Sequence, residues 1–190
     1  MSEFPFSLTL TPESFTQSNE LVHMQRYLSG FSGYFADQDA VRIMLADSDP
    51  LVYEYWEREY EGEGKAISFG MTRIYPGQVG EEFFKTKGHF HADDQGDEIH
   101  MTLEGEGLLL LSDRDGICQT MEMKPGKVNY IPGQFAHRTI NTGTKPLVFA
   151  GFWPPKILHD YETIARGGFS KLVIAGKTGV ELVDNPDWAS

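Results

Sequence analysis

The sequence predicts an all-β fold, a double-sheet jelly-roll barrel that follows an N-terminal extension and includes a short helix near the C-terminus. From Ala66 onward, short β-type runs alternate with Gly, Pro, Asn and Asp, which is the texture of a sandwich or barrel. Eight such runs are present, the number of strands in a double-sheet jelly roll. The length of 190 residues suits one domain with a modest extension.

The extension is predicted to comprise residues 1–65 and to pack on the barrel or on a partner subunit without forming a second core. It carries few glycines and many charges, as in EYWEREYEGEGK. Its polar and apolar residues suggest two short helices, around Thr11–Leu28 and Asp37–Leu45.

The barrel and its C-terminal segment are predicted to comprise residues 66–190. The eight strand-like runs are AISFGMTRIY, GHFH, EIHMTLEG, GLLLLSD, CQTMEM, KVNYIP, HRTINTG and KPLVFAGFWP. Turn residues separate them, including Pro125–Gly126 and Pro132–Gly133. After the last run, HDYETIARGG predicts a short helix with Asp160 as its cap and glycine at its exit, and KLVIA predicts a further strand.

Charge and cysteine content exclude several classes of partner. The formal net charge is −12, so a largely acidic surface repels nucleic acid and anionic lipid. An anionic substrate would then need positive charge or aimed backbone N–H groups at its site. The single cysteine, Cys118, cannot form an internal disulfide and is interpreted as a half-buried strand residue. The chain start lacks the basic flank of a signal peptide, and no apolar run has the length of a membrane span, which predicts a cytoplasmic protein.

A metal site is predicted from the spacing of three histidines and one glutamate. His89 and His91 lie two apart in a strand, so both imidazoles project to one face. The polar segment 92–97 turns the chain and brings Glu98 alongside on a neighbouring strand. The Pro132–Gly133 turn then returns a strand that carries His137 to the same interior. Surface or core histidines rarely show this combination.

This ligand set indicates the kind of ion and site. Imidazole with carboxylate suits divalent first-row ions such as iron(II), manganese, nickel and zinc. Four protein ligands leave one or two positions for water or substrate. The sequence therefore predicts an open, catalytic site.

The motifs around these residues resemble those of known families. Gly88-His89-Phe90-His91, Glu98, Glu104-Gly105-Glu106-Gly107 and Pro132-Gly133-x3-His137 resemble the two cupin motifs, and cupins are β-barrels with this ligand set. More specifically, T-x-I-Y-P-G at 72–77, T-K-G-H-F-H at 86–91, A-H-R-T-I-N-T-G at 136–143 and H-D-Y at 159–161 are similar to the cupin-type glucose-6-phosphate isomerase often called archaeal. The likeness runs from about Tyr53 to Trp188.

The resemblance implies an activity, a cofactor, an assembly and site residues. That family interconverts glucose 6-phosphate and fructose 6-phosphate in glycolysis and gluconeogenesis, uses one divalent ion per subunit, often iron, and forms homodimers. Its metal ligands fall on His89, His91, Glu98 and His137. Its phosphate-binding groups fall on Thr72, Thr86, Gly88 and Tyr161, while Tyr53 and His159 line the sugar pocket.

Two positions depart from the family pattern. His100 and Trp153 stand where tyrosines are common, and both would border the substrate. Because Glu98 and His100 alternate along one strand, His100 should face the metal ligands, where it can alter proton handling or metal coordination.

The predicted function is therefore a metal-dependent aldose–ketose isomerase that works through a metal-stabilised cis-enediolate. Glu98 is the candidate base, with His159 and His100 as further catalytic candidates. A metal-assisted hydride shift remains open.

Two alternatives remain open at this point. A cupin iron dioxygenase uses the same kind of ligands, and a non-catalytic sugar-binding cupin would bind without turnover. Thr72 and Thr86 are also ordinary β-branched strand residues, so their role in binding phosphate depends on the resemblance.

Overall fold

The computed structural model describes residues 7, 9–11, 13, 21–58, 66–92, 94 and 96–188. Within these ranges the chain forms fifteen strands, two α-helices and one 3-10 helix. The strands are β1 (Val22–Tyr27), β2 (Leu51–Arg58), β3 (Ser68–Ile74), β4 (Gln78–Val79), β5 (Glu82–Phe83), β6 (Phe90–His91), β7 (Glu98–Glu104), β8 (Gly107–Ser112), β9 (Cys118–Met123), β10 (Val128–Ile131), β11 (Ala136–Asn141), β12 (Leu147–Trp153), β13 (His159–Asp160), β14 (Lys171–Gly176) and β15 (Gly179–Asp184). The predicted all-β class is confirmed.

Four sheets enclose the interior. The largest has six strands in the order β1-β2-β3-β12-β7-β10, and the next largest has four in the order β15-β14-β5-β4. A three-stranded sheet, β11-β8-β9, and the pair β13-β6 complete the set. Every pairing is antiparallel, as expected of a jelly roll whose connections are hairpins and longer returns.

All eight predicted runs contain a strand, although in the GHFH run the strand comprises Phe90–His91 alone and His89 pairs through an isolated bridge to His137. The predicted helix around Thr11–Leu28 is wrong for its last part, because Val22–Tyr27 is β1 and pairs antiparallel with β2. Stacking of His23 on Trp56, with ring centroids 4.6 Å apart, belongs to this pairing. Contacts with a distant strand override the local pattern here. Residues 12 and 14–20 of that prediction lie outside the described residues.

The other two predicted helices are confirmed. Helix α1 (Gln38–Asp47) begins after Asp37, whose carboxylate accepts a hydrogen bond of 2.8 Å from Ala40 N. Helix α2 (Tyr161–Gly167) follows Asp160, whose carboxylate accepts one of 3.0 Å from Thr163 N. Among the described residues, no helix is long and apolar enough to cross a membrane.

The N-terminal extension contributes to the same core as the barrel. Leu28, Phe31 and Val52 are fully buried in one cluster with barrel residues such as Ile74 and Leu109. Residues 21–58 thus cover one side of the barrel interior and place strands β1 and β2 beside β3. The boundary at residue 65 stays a prediction.

Candidate metal centre

Three chain segments carry the four predicted ligands to one point inside the barrel. His89 lies opposite His137, whose backbone N–H donates a 3.1 Å hydrogen bond to His89 O. His91 closes β6, and Glu98 opens β7. The predicted HxH arrangement and the late histidine therefore meet as the spacing indicated.

Glu98 lies at the centre of this cluster. Its Oε1 is 3.1 Å from His91 Nε2 and 3.9 Å from His89 Nε2, and its Oε2 is 3.4 Å from His137 Nε2. The Glu98 carboxylate and the His91 and His137 rings are buried. Three imidazole nitrogens thus surround one buried carboxylate.

Two further histidines complete the cluster. His100 Nε2 is 3.1 Å from Glu98 Oε2, and the His159 ring centroid is 4.1 Å from that of His89. Pairing of β13 with β6 places His159 opposite His91. Ligand atoms within 4.8 Å of one another fall into two groups that share Glu98, one with His89, His91 and His159, the other with His100 and His137. The sequence predicted neither His100 nor His159 as a ligand.

Unpartnered polar atoms show that the cluster suits a cation. His89 Nε2 and His159 Nε2 are buried, and neither has a hydrogen-bond partner among the described residues. Buried polar atoms are nearly always paired, so nitrogens left unpaired around a carboxylate require an explanation. A divalent first-row ion supplies one, because neutral imidazole and carboxylate are its preferred ligands.

The electrostatics of the cluster favour the protonation states that metal binding requires. Burial and, to a smaller extent, the nearby His137 lower the pKa of His89 to about 3. Burial alone would raise the pKa of Glu98, but His137 and the hydrogen bond from His100 hold it well below its usual range. His89 is therefore neutral and Glu98 ionised near neutral pH, as ligands must be.

A cavity opens above this cluster and is lined by all of the residues predicted to contact substrate and by three of the four predicted metal ligands. The fourth ligand, His91, is buried and does not line it. The lining includes Tyr53, Thr72, Thr86, Gly88, His89, Glu98, His100, His137, Trp153, His159 and Tyr161. Tyr55, Lys87, Thr139 and Phe149 also line it, and sequence reasoning did not identify them. Strand periodicity was the available signal for two of these, since Tyr55 follows Tyr53 by two residues and Thr139 follows His137 by two.

The departures from the family pattern both lie in this cavity. His100 packs against Phe149, with ring centroids 4.6 Å apart, so the prediction that it faces the interior is confirmed. Trp153 lies against two glycines: a Cβ at Gly70 would come within 3.0 Å of its ring, and one at Gly151 within 3.3 Å. The absence of side chains there makes room for the larger indole.

Two cations lie at the cavity mouth. Arg26 and Lys87 line an adjoining depression with Tyr53, Tyr55, Tyr161 and one carboxylate, Glu57, so cations outnumber carboxylates in its lining. Arg26 donates a 2.9 Å hydrogen bond to Tyr55 Oη, and no described carboxylate lies within 4.0 Å of either cation. They supply the local positive charge that an anionic substrate needs in a chain of net charge −12.

The chain is similar to known isomerases along most of its length. The model of the family described as glucose-6-phosphate isomerase (GPI) matches residues 25–189. Glucose-6-phosphate isomerase of Thermococcus litoralis is 42% identical over 184 residues, which cover 97% of this chain and 96% of that protein. The Pyrococcus horikoshii enzyme of the same name is 45% identical over 163 residues, 86% of each chain.

Among solved structures, oxalate decarboxylase from Bacillus subtilis aligns with 58% of this chain and 28% of its own at 19% identity and a TM-score of 0.49. The sequence comparisons are far closer, and their coverage is nearly complete. The chain belongs to the glucose-6-phosphate isomerase family.

Proposed function

We propose that this protein is a metal-dependent aldose–ketose isomerase that interconverts glucose 6-phosphate and fructose 6-phosphate. The observation that carries the proposal is one cavity with two chemically different ends. Its floor holds a buried carboxylate among imidazoles, and its walls and mouth hold threonine hydroxyls, a glycine amide, two cations and the single carboxylate of Glu57. That layout fits a substrate with a phosphate at one end and a reacting carbonyl at the other.

His89, His91 and Glu98 from one ligand group, with His137 from the other, would hold one divalent ion, with iron(II) as the favoured choice and manganese, nickel or zinc as alternatives. Bound there, the ion supplies positive charge that stabilises the negative charge developing on the sugar oxygens. The unpaired His89 Nε2 supports this assignment.

Glu98 would move the proton between the two carbons of the substrate. A base has to be ionised and within reach of the hydrogen that it removes. The low pKa of Glu98 keeps it ionised, and its position at the cavity floor places it beside the reacting end of the sugar. His100 holds one oxygen of this carboxylate, and His159 reaches the same floor from β13.

The phosphate would bind at the other end, to Thr72, Thr86, Gly88 and Tyr161. The Thr86 hydroxyl accepts a 3.1 Å hydrogen bond from Thr139 N, which leaves its own hydrogen free to donate to an anion. The Tyr161 side chain is partly exposed, but desolvation and the nearby Tyr53 raise its pKa, so its hydroxyl stays a neutral donor. A phosphate held apart from the reacting carbons would orient the open-chain sugar, and Tyr53 and Trp153 would pack along it.

The decisive experiment is conversion of fructose 6-phosphate to glucose 6-phosphate before and after treatment with a chelator, followed by addition of each metal singly. We expect turnover that the chelator removes and that iron(II) restores best. Turnover unaffected by complete metal removal would contradict the proposed metal dependence. Absence of turnover with every metal would contradict the isomerase, and oxygen consumption would then test the dioxygenase alternative.

The family likeness also supports a homodimer acting in cytoplasmic glycolysis and gluconeogenesis. Light scattering of the purified protein tests the assembly. A dimer has twice the 21.4 kDa mass of one chain. A mass of a single chain at micromolar concentration would contradict it.

A further inference from the structure

One short segment, Thr86–His89, connects the two ends of the cavity. Thr86 and Gly88 are proposed to bind the phosphate, and His89 the metal. The segment runs antiparallel to β11: Thr86 N donates to Thr139 O at 2.9 Å, and His137 N donates to His89 O at 3.1 Å. These bonds fix its two ends.

Arg138 holds the middle of the segment. Its Nε and one terminal nitrogen donate hydrogen bonds of 3.1 and 2.6 Å to Lys87 O. The guanidinium is buried, lies 4.6 Å from the centre of the Phe169 ring and has no described carboxylate within 4.0 Å. A buried cation therefore has a backbone carbonyl as its main partner, an arrangement that is costly unless the carbonyl needs to be held.

The geometry of a peptide unit shows what this contact achieves. In a trans peptide the C=O and the following N–H point in opposite directions. Because Lys87 O points at Arg138, behind the segment, the N–H of Gly88 points the other way, toward the cavity that Gly88 lines. Gly88 N makes no hydrogen bond with the described residues, so it is available to a ligand.

Because residue 88 is a glycine, the orientation of the Lys87–Gly88 peptide has to be fixed by a hydrogen bond from another part of the chain. Gly88 has a φ of +76°, and a Cβ there would approach His137 O to 3.0 Å. Glycine adopts the positive φ and has no Cβ to clash with His137 O, but its backbone also rotates more readily than that of any other residue. A fixed partner for Lys87 O is therefore needed to keep the amide aimed in one direction.

We propose that Arg138 is a positioning residue that turns the Lys87–Gly88 peptide so that Gly88 N–H donates to the substrate phosphate. The inference deepens the proposed function and rests on its phosphosugar substrate. Two hydrogen bonds from a cation also polarise the peptide, which strengthens Gly88 N–H as a donor to an anion.

The test compares Arg138→Met and Arg138→Lys with the unmodified protein and with Arg73→Met. Arg73 is a matched control, because it is a partly buried arginine of β3 that pairs with Glu54 outside the cavity. Calorimetry measures binding of inorganic phosphate, and bound metal and melting temperature are recorded for each protein. Since phosphate binding is measured without turnover, this test can fail or succeed separately from the isomerase assay.

We expect Arg138→Met to weaken phosphate binding about tenfold, the effect of losing one charge-assisted hydrogen bond, with bound metal unchanged. Arg138→Lys, which keeps one donor for Lys87 O, should recover part of this loss, and Arg73→Met should bind phosphate normally. In metal-depleted protein, phosphate should shift the amide signal of Gly88, and Arg138→Met should remove that shift.

Three results would overturn the inference. They are equal phosphate affinity in Arg138→Met and the unmodified protein, equal losses in Arg138→Met and Arg73→Met, and a Gly88 amide that phosphate does not shift. A lower melting temperature with unchanged phosphate affinity would show that Arg138 is structural only. If fructose 6-phosphate is not converted but phosphate binding still depends on Arg138, the isomerase fails and the anion site stands.

Discussion

Glu98 and His100 lie two residues apart on β7, and their side chains meet inside the barrel with Nε2 and Oε2 3.1 Å apart. His91 and His89 face the other oxygen of the same carboxylate. His100, which is not a proposed metal ligand, shares Oε2 with His137 and so helps to fix the rotation of the Glu98 carboxylate. Partners that orient a ligand in this way usually have large effects on activity.

Replacing His100 should therefore change the rate more than metal binding. We expect His100→Phe to lower kcat about tenfold, the usual effect of losing a hydrogen bond to a charged group, with one metal ion still bound per chain. His100→Tyr, which restores a hydroxyl donor at the position, should retain more activity. Steady-state kinetics with metal analysis measure both effects. Unchanged kcat in His100→Phe would contradict an orienting role for His100.

Unlike replacement of His100, removal of a proposed metal ligand should lower the amount of bound metal as well as the rate. His137→Ala leaves the Glu98 carboxylate without its 3.4 Å partner and should lose most of the bound metal together with activity. His23→Ala is the control, because His23 pairs with Glu54 outside the cavity. Metal content after dialysis and turnover are measured for both. Full turnover by His137→Ala without detectable metal would disprove the ligand assignment.

Glu98→Gln tests the base and also the path of the hydrogen. We expect kcat to fall roughly 10²–10⁴-fold, the range for loss of a general base, with a smaller change in KM. In deuterium oxide, the unmodified protein should introduce solvent deuterium at the carbon that exchanges hydrogen, because a proton on a carboxylate exchanges with solvent. Product without deuterium would favour the hydride shift over transfer through Glu98.

The sequence predicted the centre of the site because strand periodicity is local. His89 and His91 two apart, and Glu98 and His100 two apart, need only an extended backbone to share a face. The contributions of β1 and β2 were not predicted in the same way. Arg26 reaches the cavity mouth only because β1 pairs with β2 and β2 with β3, and no local pattern specifies pairing between distant segments.

Arg138 shows the same limit within a predicted strand. Arg138 falls in the predicted run HRTINTG and lies on β11, where, as the residue after His137, it projects to the opposite face. The run did not indicate that this face would meet Lys87 O, because that contact requires the path of the segment at residues 86–89. The sequence thus indicates side chains with recognisable chemistry, but it does not indicate side chains that act through contacts with a distant backbone group.

A buried ion pair behind this segment gives the last prediction. Lys85 and Glu82 are both buried and form an ion pair, Glu82 also accepts a 2.6 Å hydrogen bond from Ala36 N, and the Lys85 ammonium lies 4.4 Å from the Phe35 ring centre. Burial and, to a smaller extent, the nearby Arg138 lower the pKa of Lys85 to about 7. The folded protein therefore releases the Lys85 proton more readily than the unfolded chain does.

Stability should respond to pH in a defined direction. Between pH 7 and pH 10.5 the unfolded chain binds more protons at Lys85 than the folded protein, so this residue's contribution to the free energy of unfolding rises with pH. The free energy of unfolding of the unmodified protein minus that of Lys85→Met should then rise across that window, by at most about 1.4 kcal/mol per pH unit. Urea denaturation at several pH values measures it, with Lys177→Met as a control that removes an exposed lysine from the β14–β15 turn. If the free energy of unfolding of the unmodified protein minus that of Lys85→Met does not rise between pH 7 and pH 10.5, Lys85 stays protonated in its pair with Glu82 and the prediction is wrong.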